Sequence, residues 1–167
     1  MTLVLKNMQN AVRLRTRIIR KDVNILRRLM NLERYDVSLL FVTDEYIATL
    51  NSNYRQVHGP TDVLSFPALE ITQAGMLPTH GESDGDELCL GDIYIAPAYI
   101  RKECQSHGDN FHNVMMATVT HGLCHLTGLD HETEDDWRHM VEAERDILSR
   151  FNKLSGCNCR ALTSCGH

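Results

Sequence analysis

The chain of 167 residues has the length of one ordinary domain, and at that size folding buries roughly 70% of the unfolded surface. A hydrophobic fraction of 43% with 10 glycines excludes a disordered or collagen-like chain, and no apolar run approaches the ~18 residues of a membrane span. A net charge of −5 excludes a protein that coats nucleic acid indiscriminately, but the charge is unevenly spread: residues 1–35 carry nine Lys or Arg against Asp22 and Glu33, and the remainder is strongly acidic. Such a split predicts one face attractive to phosphates and a repulsive field elsewhere.

Leu3 to Met8 alternates apolar and polar residues, which predicts a short strand. Arg13, Arg15, Arg17, Arg20 and Lys21 then occupy the stretch where a secretory signal would have its apolar core. A soluble intracellular domain is therefore expected, with its six cysteines not organised as a disulfide framework. Ile19, Val23, Leu26 and Met30 form the apolar stripe of a helix over residues 17–31, with the arginines mainly on its other side. Val37 to Val42 reads as a strand. Thr43, followed by Asp44 and Glu45, reads as the N-cap of a helix that carries Ile47, Leu50 and Tyr54 inward. Asp62 to Phe66 is a short strand between Pro60 and Pro67, and residues 68–87 read as a polar, mobile loop. Gly91 to Ala96 is a fourth strand, and Pro97 opens a helix at a position that suits proline. Asp109 is expected to cap a longer helix that runs to Thr127 and stops at Gly128. A last helix starts near Thr133, with Trp137, Met140, Val141, Glu144, Leu148 and Phe151 at helical spacing. The expected architecture is α+β: a small mixed four-stranded sheet packed by about five helices, in one domain over residues 1–155. Residues 156–167 read as a loose tail.

The stretch that carries chemistry contains His121, Gly122, His125, Gly128 and His131. Residues four apart on a helix lie only about 40° apart around its axis, one turn apart along it. His121 and His125 can therefore reach one ion, and a glycine at 128 permits the reversal that returns His131 to it. Three neutral imidazoles with one open position describe a catalytic zinc site, one ion per chain. The spacing is nearly that of the metzincin proteases, HExxHxxGxxH, but Gly122 stands where a protease needs its glutamate base. Peptide hydrolysis by that route is disfavoured, while Lewis-acid chemistry is retained.

The segment from His121 to His131, HGLCHLTGLDH, resembles the HGxLHLxGYDH motif of the YbeY family of metal-dependent endoribonucleases. Two further blocks agree in order: Asn51, Tyr54 and Arg55 before Pro60 to Pro67 (PTDVLSFP), and Leu90 to Ile95 (LGDIYI). The likeness runs from about Leu3 to Leu154; Cys124, Leu129 and the long loop depart from the usual pattern, and Cys124 with the Cys-rich tail resembles the vertebrate branch. The resemblance implies a zincin-like metal helix with His121, His125 and His131 holding zinc, and Arg55 as the catalytic arginine. A guanidinium suits a phosphodiester approaching its transition state; a structural salt bridge is the alternative role. Asp62, Ser65 and Asp92 suit either a supporting or a fold-stabilising role, and Arg13, Arg15, Arg17 and Ser65 are candidate substrate contacts. The general base is left open between a metal-activated water and the substrate's own 2′-OH.

The implied function is single-strand-preferring cleavage of small-subunit ribosomal RNA, at its 3′ end, during ribosome assembly. The implied partners are ribosomal RNA and the small subunit or its assembly proteins, with no membrane. Six basic residues and no acid in positions 1–21 also resemble a mitochondrial address, retained because Leu3 to Met8 reads as a strand of the fold; cytosol and nucleus are the alternatives. A non-catalytic, metal-stabilised assembly factor and, further off, a peptidase are the rival readings. Cys157, Cys159, Cys165 and His167 match no common zinc spacing and read as exposed tail residues. His58 reads as an exposed loop residue; His107, His112 and His139 have no partner legible in sequence. Trp137, Met115 and Met116 read as core.

Overall fold

A computed structural model describes residues 2–71, 73–77 and 88–163. Among them four strands and five helices follow in the order β1 (Leu3–Asn7), α1 (Thr16–Leu29), β2 (Tyr35–Phe41), α2 (Asp44–Arg55), β3 (Val63–Pro67), β4 (Leu88–Ile95), α3 (Pro97–His107), α4 (Phe111–Leu126) and α5 (Glu134–Ser155). The sheet order is β1-β2-β4-β3. β1, β2 and β4 run parallel, and β3 closes one edge antiparallel to β4. The expected α+β architecture, with its small mixed sheet, is the one found.

Alternation along β2 builds both faces of this sheet. Tyr35, Val37, Leu39 and Phe41 are buried in the main core with Ile19, Val23 and Leu26 of α1 and Leu148 and Phe151 of α5. Leu40 points to the other face, where Ile47 of α2 packs with Val42, Leu64 and Ala96 in a smaller core. α4 lies between the layers and is buried from Met115 through Cys124. Thr118 and Thr120 are tolerated there because each donates its hydroxyl to the carbonyl four residues back, at 2.7 and 2.8 Å. The helix that carries His121 and His125 is thus held on several sides.

Caps set most boundaries. Thr43 Oγ1 accepts from the Tyr46 N–H, and Thr133 Oγ1 from that of Asp136. α4 begins one residue later than expected, because Asn110 rather than Asp109 accepts the Asn113 N–H. Gly128 follows the C-cap Thr127 with φ +93°, as a terminating glycine should.

Four expectations are corrected. The tail is not loose over its described part: Cys159, Ala161, Leu162 and Thr163 are buried. Asn152 clamps Cys159 from both sides, donating to its carbonyl at 3.0 Å and accepting its N–H at 2.8 Å. Cys165 and His167 lie outside the described residues, as do 72 and 78–87 of the expected mobile loop. Tyr54 does not point inward but is 67% exposed, and Trp137 is at the surface rather than in the core. A helical period fixes which residues share a face, not how far the covering layer extends. His112 does have a partner: its Nε2 lies 2.7 Å from Asp22 Oδ2, on α1.

Candidate metal centre and its cleft

His121 and His125 sit one turn apart near the end of α4, and their Nε2 atoms are 3.1 Å apart. Two nitrogens on one tetrahedral zinc at about 2.0–2.1 Å would be separated by about 3.3–3.4 Å, so only a small adjustment admits the ion. Gly128 turns the chain, and His131 comes back so that its ring centroid is 5.5 Å from that of His121 and 5.2 Å from that of His125. One ligand atom from each of the three lies within 4.8 Å of the others. The turn demands glycine twice over: φ is +93°, and an added Cβ would meet Ile71 Cγ2 at 2.9 Å.

The electrostatics favour neutral, ligating rings. Burial, reinforced by His121 and His131, lowers the His125 pKa to about 4. Burial, with His121 and Arg55 adding, lowers His131 as well. Both are unprotonated at neutral pH, the form that binds a metal.

Behind the site lies a support that sequence reasoning missed. His121 Nδ1 is 3.1 Å from Thr163 Oγ1 and 3.4 Å from Glu144 Oε1. Glu144, wholly buried in α5, also accepts the backbone N–H groups of Leu162 and Thr163 at 3.1 and 3.4 Å and the Thr163 hydroxyl. A carboxylate and hydroxyl behind Nδ1 hold the ring so that Nε2 faces the other ligands, the usual second contact of a metal-bound histidine. The donor set and its support both fit a metal such as zinc. Glu144 was legible only as a helix-face residue, and Thr163 lay in the supposed loose tail.

The three histidines open into a cleft of about 590 Å³, lined also by Arg55, Asp62, Ser65 and Asp130. Arg55 ends α2 and is exposed at the rim; no ion pair ties it up among the described residues. Ser65 lines the cleft while donating its hydroxyl to the Gly122 carbonyl at 3.2 Å, pinning β3 to α4. Asp62 is buried on the cleft wall, with Thr61 Oγ1 at 3.2 Å from Oδ1 and its carbonyl accepting the Ala96 N–H. Asp92, paired in register with Phe66 on β4, does not line it. Gly122 faces the sheet: an added Cβ would meet Ile93 Cγ2 at 3.0 Å and Ser65 Oγ at 3.2 Å. A protease-like glutamate at this position would press on Ile93 and Ser65.

Two further placements matter. Tyr54 meets Phe66 edge-on at 5.1 Å, Phe66 meets Tyr94 at 5.6 Å, and Tyr94 stacks on Tyr46 at 6.1 Å. This aromatic row starts beside Arg55 and was not foreseen, because its members come from α2, β3 and β4. Arg13, Arg15 and Arg17 are exposed but do not reach the histidine cleft; Arg13 and Arg15 instead line a second one with His112 and Cys157. His58 is exposed, as expected. No helix among the described residues is long and apolar enough to cross a membrane.

The model of the family described as Endoribonuclease YbeY matches residues 5–152. The chain is 35% identical over 163 residues to the human protein named Endoribonuclease YbeY, covering 98% of this chain and 96% of that one. It is 28% identical over 158 residues to the namesake from Acetivibrio thermocellus, covering 91% and 98%. The solution structure of a Thermotoga maritima protein superposes with a TM-score of 0.61 over 92% of this chain and 91% of that one, at 20% identity, which bears on the fold alone. With the three blocks in order along the chain and the three histidines converging on one point, this chain belongs to the endoribonuclease YbeY family.

Proposed function

We propose that this chain is a zinc-dependent endoribonuclease that prefers single strands and acts on small-subunit ribosomal RNA, at its 3′ end, during ribosome assembly. The observation that carries the reading is a cleft that joins three imidazoles to a guanidinium with no ion pair among the described residues, and with no carboxylate at the protease position. Zinc bound there would supply Lewis-acid polarisation and water activation.

The chain's own residues do the rest. Arg55 offers a planar, permanently charged fork to the non-bridging oxygens of a phosphodiester, and this contact strengthens as charge builds in the transition state. Glu144 and Thr163 hold His121 in one orientation, so the ligand ring costs little reorganisation. The aromatic row beside Arg55 gives unstacked bases a surface, which supports a preference for single strands over an A-form duplex. A peptide substrate would find no base at Gly122 and no use for a cation at Arg55.

The partners in this reading are ribosomal RNA and the small subunit or its assembly proteins, and the compartment is the mitochondrion. The basic residues before α1 support that compartment. Since Leu3–Asn7 pairs with β2 inside the sheet, an address there would be retained rather than removed.

Cleavage of ribosomal RNA by metal-loaded and chelated protein, alongside His121→Ala and Arg55→Ala, tests the reading. Chelation and His121→Ala should abolish cleavage. Arg55→Ala should keep its metal and fold while cleaving on the order of 10²–10³ more slowly, with Arg55→Lys rescuing only in part. Undiminished cleavage after chelation, or full activity in Arg55→Ala, defeats the proposal.

A further inference from the structure

On the far side of α4 from its histidine end, three parts of the chain distant in sequence converge. Asp22 of α1, His112 in the first turn of α4 and Cys157 just after α5 each offer one ligand atom, all within 4.8 Å of one another. Asp22 is buried and His112 and Cys157 are half-buried. Cys159, two residues beyond Cys157, carries a second thiol and is buried. The backbone that carries them is fixed: Gly156 ends α5 with φ +77°, Asn158 N–H reaches Asn113 Oδ1 at 3.4 Å, and Asn152 clamps Cys159. Neither thiol is in a disulfide.

We propose that Asp22, His112 and Cys157 form a second zinc site. Carboxylate oxygen, imidazole nitrogen and thiolate are all donors that zinc takes. Zinc ligands stand about 3.3–3.8 Å apart, so His112 Nε2 and Asp22 Oδ2, at 2.7 Å, must part by about 0.6 Å while the separations to Cys157, within 4.8 Å, close by about 1 Å at most. Arg13 and Arg15 line the adjacent cleft but are exposed to solvent, where their opposing field is screened. His112 bound only to Asp22 is the simpler arrangement, but it does not account for the Cys157 thiol within 4.8 Å of both. With zinc in place, the segment after α5 would be stapled to α1 and α4, and that segment carries Thr163, which supports His121.

Cobalt(II) titration of reduced, metal-free protein separates the two sites, because only this one contains sulfur. Two equivalents should bind, and one of them should bring the near-ultraviolet thiolate-to-cobalt charge-transfer band and the visible bands of a tetrahedral ion. Cys157→Ser should lose that band and one equivalent while keeping the other, and His112→Gln should do the same. His121→Ala/His125→Ala should keep the thiolate band and lose the other equivalent. Helical circular dichroism identifies variants that have failed to fold, and His112→Gln leaves both thiols in place should Cys157→Ser be among them. A single equivalent with no thiolate band, or a band that survives Cys157→Ser, overturns the proposal without touching the three-histidine centre.

Discussion

The two ends of α4 present two groups of side chains that could hold a metal, built on opposite plans. At the C-terminal end, His121, His125 and His131 come from eleven consecutive residues, arranged by one turn of helix and one glycine. At the N-terminal end, Asp22, His112 and Cys157 come from three separate elements and meet only because α1, α4 and the segment after α5 pack together. The first is open to a cleft that holds Arg55; the second is half-closed by the chain's own tail. The contrast teaches that contiguous ligands leave a face of the ion free for substrate, whereas ligands gathered from distant elements spend the coordination sphere on holding those elements together.

The sharpest way to break this comparison is His125→Ala. A two-histidine remainder has too few ligands, so metal at the cleft and RNA cleavage should both be lost, while any metal at Asp22, His112 and Cys157 stays. Elemental analysis before and after the substitution reads this directly; stoichiometric retention at the cleft would remove the ligand assignment.

Support behind the ligand should matter less, but measurably. Thr163→Val and Glu144→Gln should each weaken metal binding at the cleft by about 10–100-fold, as outer partners of a ligating histidine do when removed. Competition with a chelator of known affinity measures the change. Equal affinity in both variants would mean that the tail has no part in the centre, and that the two ends of α4 are independent.

Acidity acts on the cleft through His125. Its pKa is lowered to about 4 in the folded chain, against about 6.5 when unfolded. As pH falls below 6.5 the unfolded chain takes up a proton that the folded one refuses until near 4. Metal-free protein should therefore lose stability across that window, by on the order of 3 kcal/mol from this residue when complete. Urea melts of wild type and His125→Asn at pH 7 and pH 4.5 isolate the effect, which should shrink in the variant.

The smallest effect expected on chemistry comes from the basic residues before and within α1. Replacing Arg13, Arg15 and Arg17 with Gln should weaken RNA binding and lower the slope of log affinity against log salt by about 0.7 for each phosphate no longer neutralised. Cleavage at saturating RNA should fall less than binding, since these residues lie outside the histidine cleft. An unchanged slope would assign their charge to import or to a protein partner.

Much of this is legible in the sequence. Amphipathic spacing places α1 and α5, Thr43 and Thr133 mark the caps of α2 and α5, and the HGLCHLTGLDH run announces the metal ligands and the turn between them. The errors share a cause. Tyr54 and Trp137 carry the right period but fall beyond the edge of the layer that covers their neighbours. The segment after Gly156 reads as loose because its composition is polar and Cys-rich, yet it is held by Asn152, Glu144 and Asn113, none of which advertises a distant partner.

What the sequence determined by itself is whatever depends on short-range geometry. A helix repeats every 3.6 residues and a glycine permits positive φ wherever they occur, so the spacing of His121, His125, Gly128 and His131 implied their convergence without knowledge of the rest. Only the tertiary structure could decide that Glu144 and Thr163 stand behind His121, that Gly122 faces Ile93, that Arg55 opens onto the histidines, and that Asp22 meets His112 and Cys157. Each of these joins elements far apart along the chain. Their approach is set by side-chain packing between layers, which no local pattern encodes.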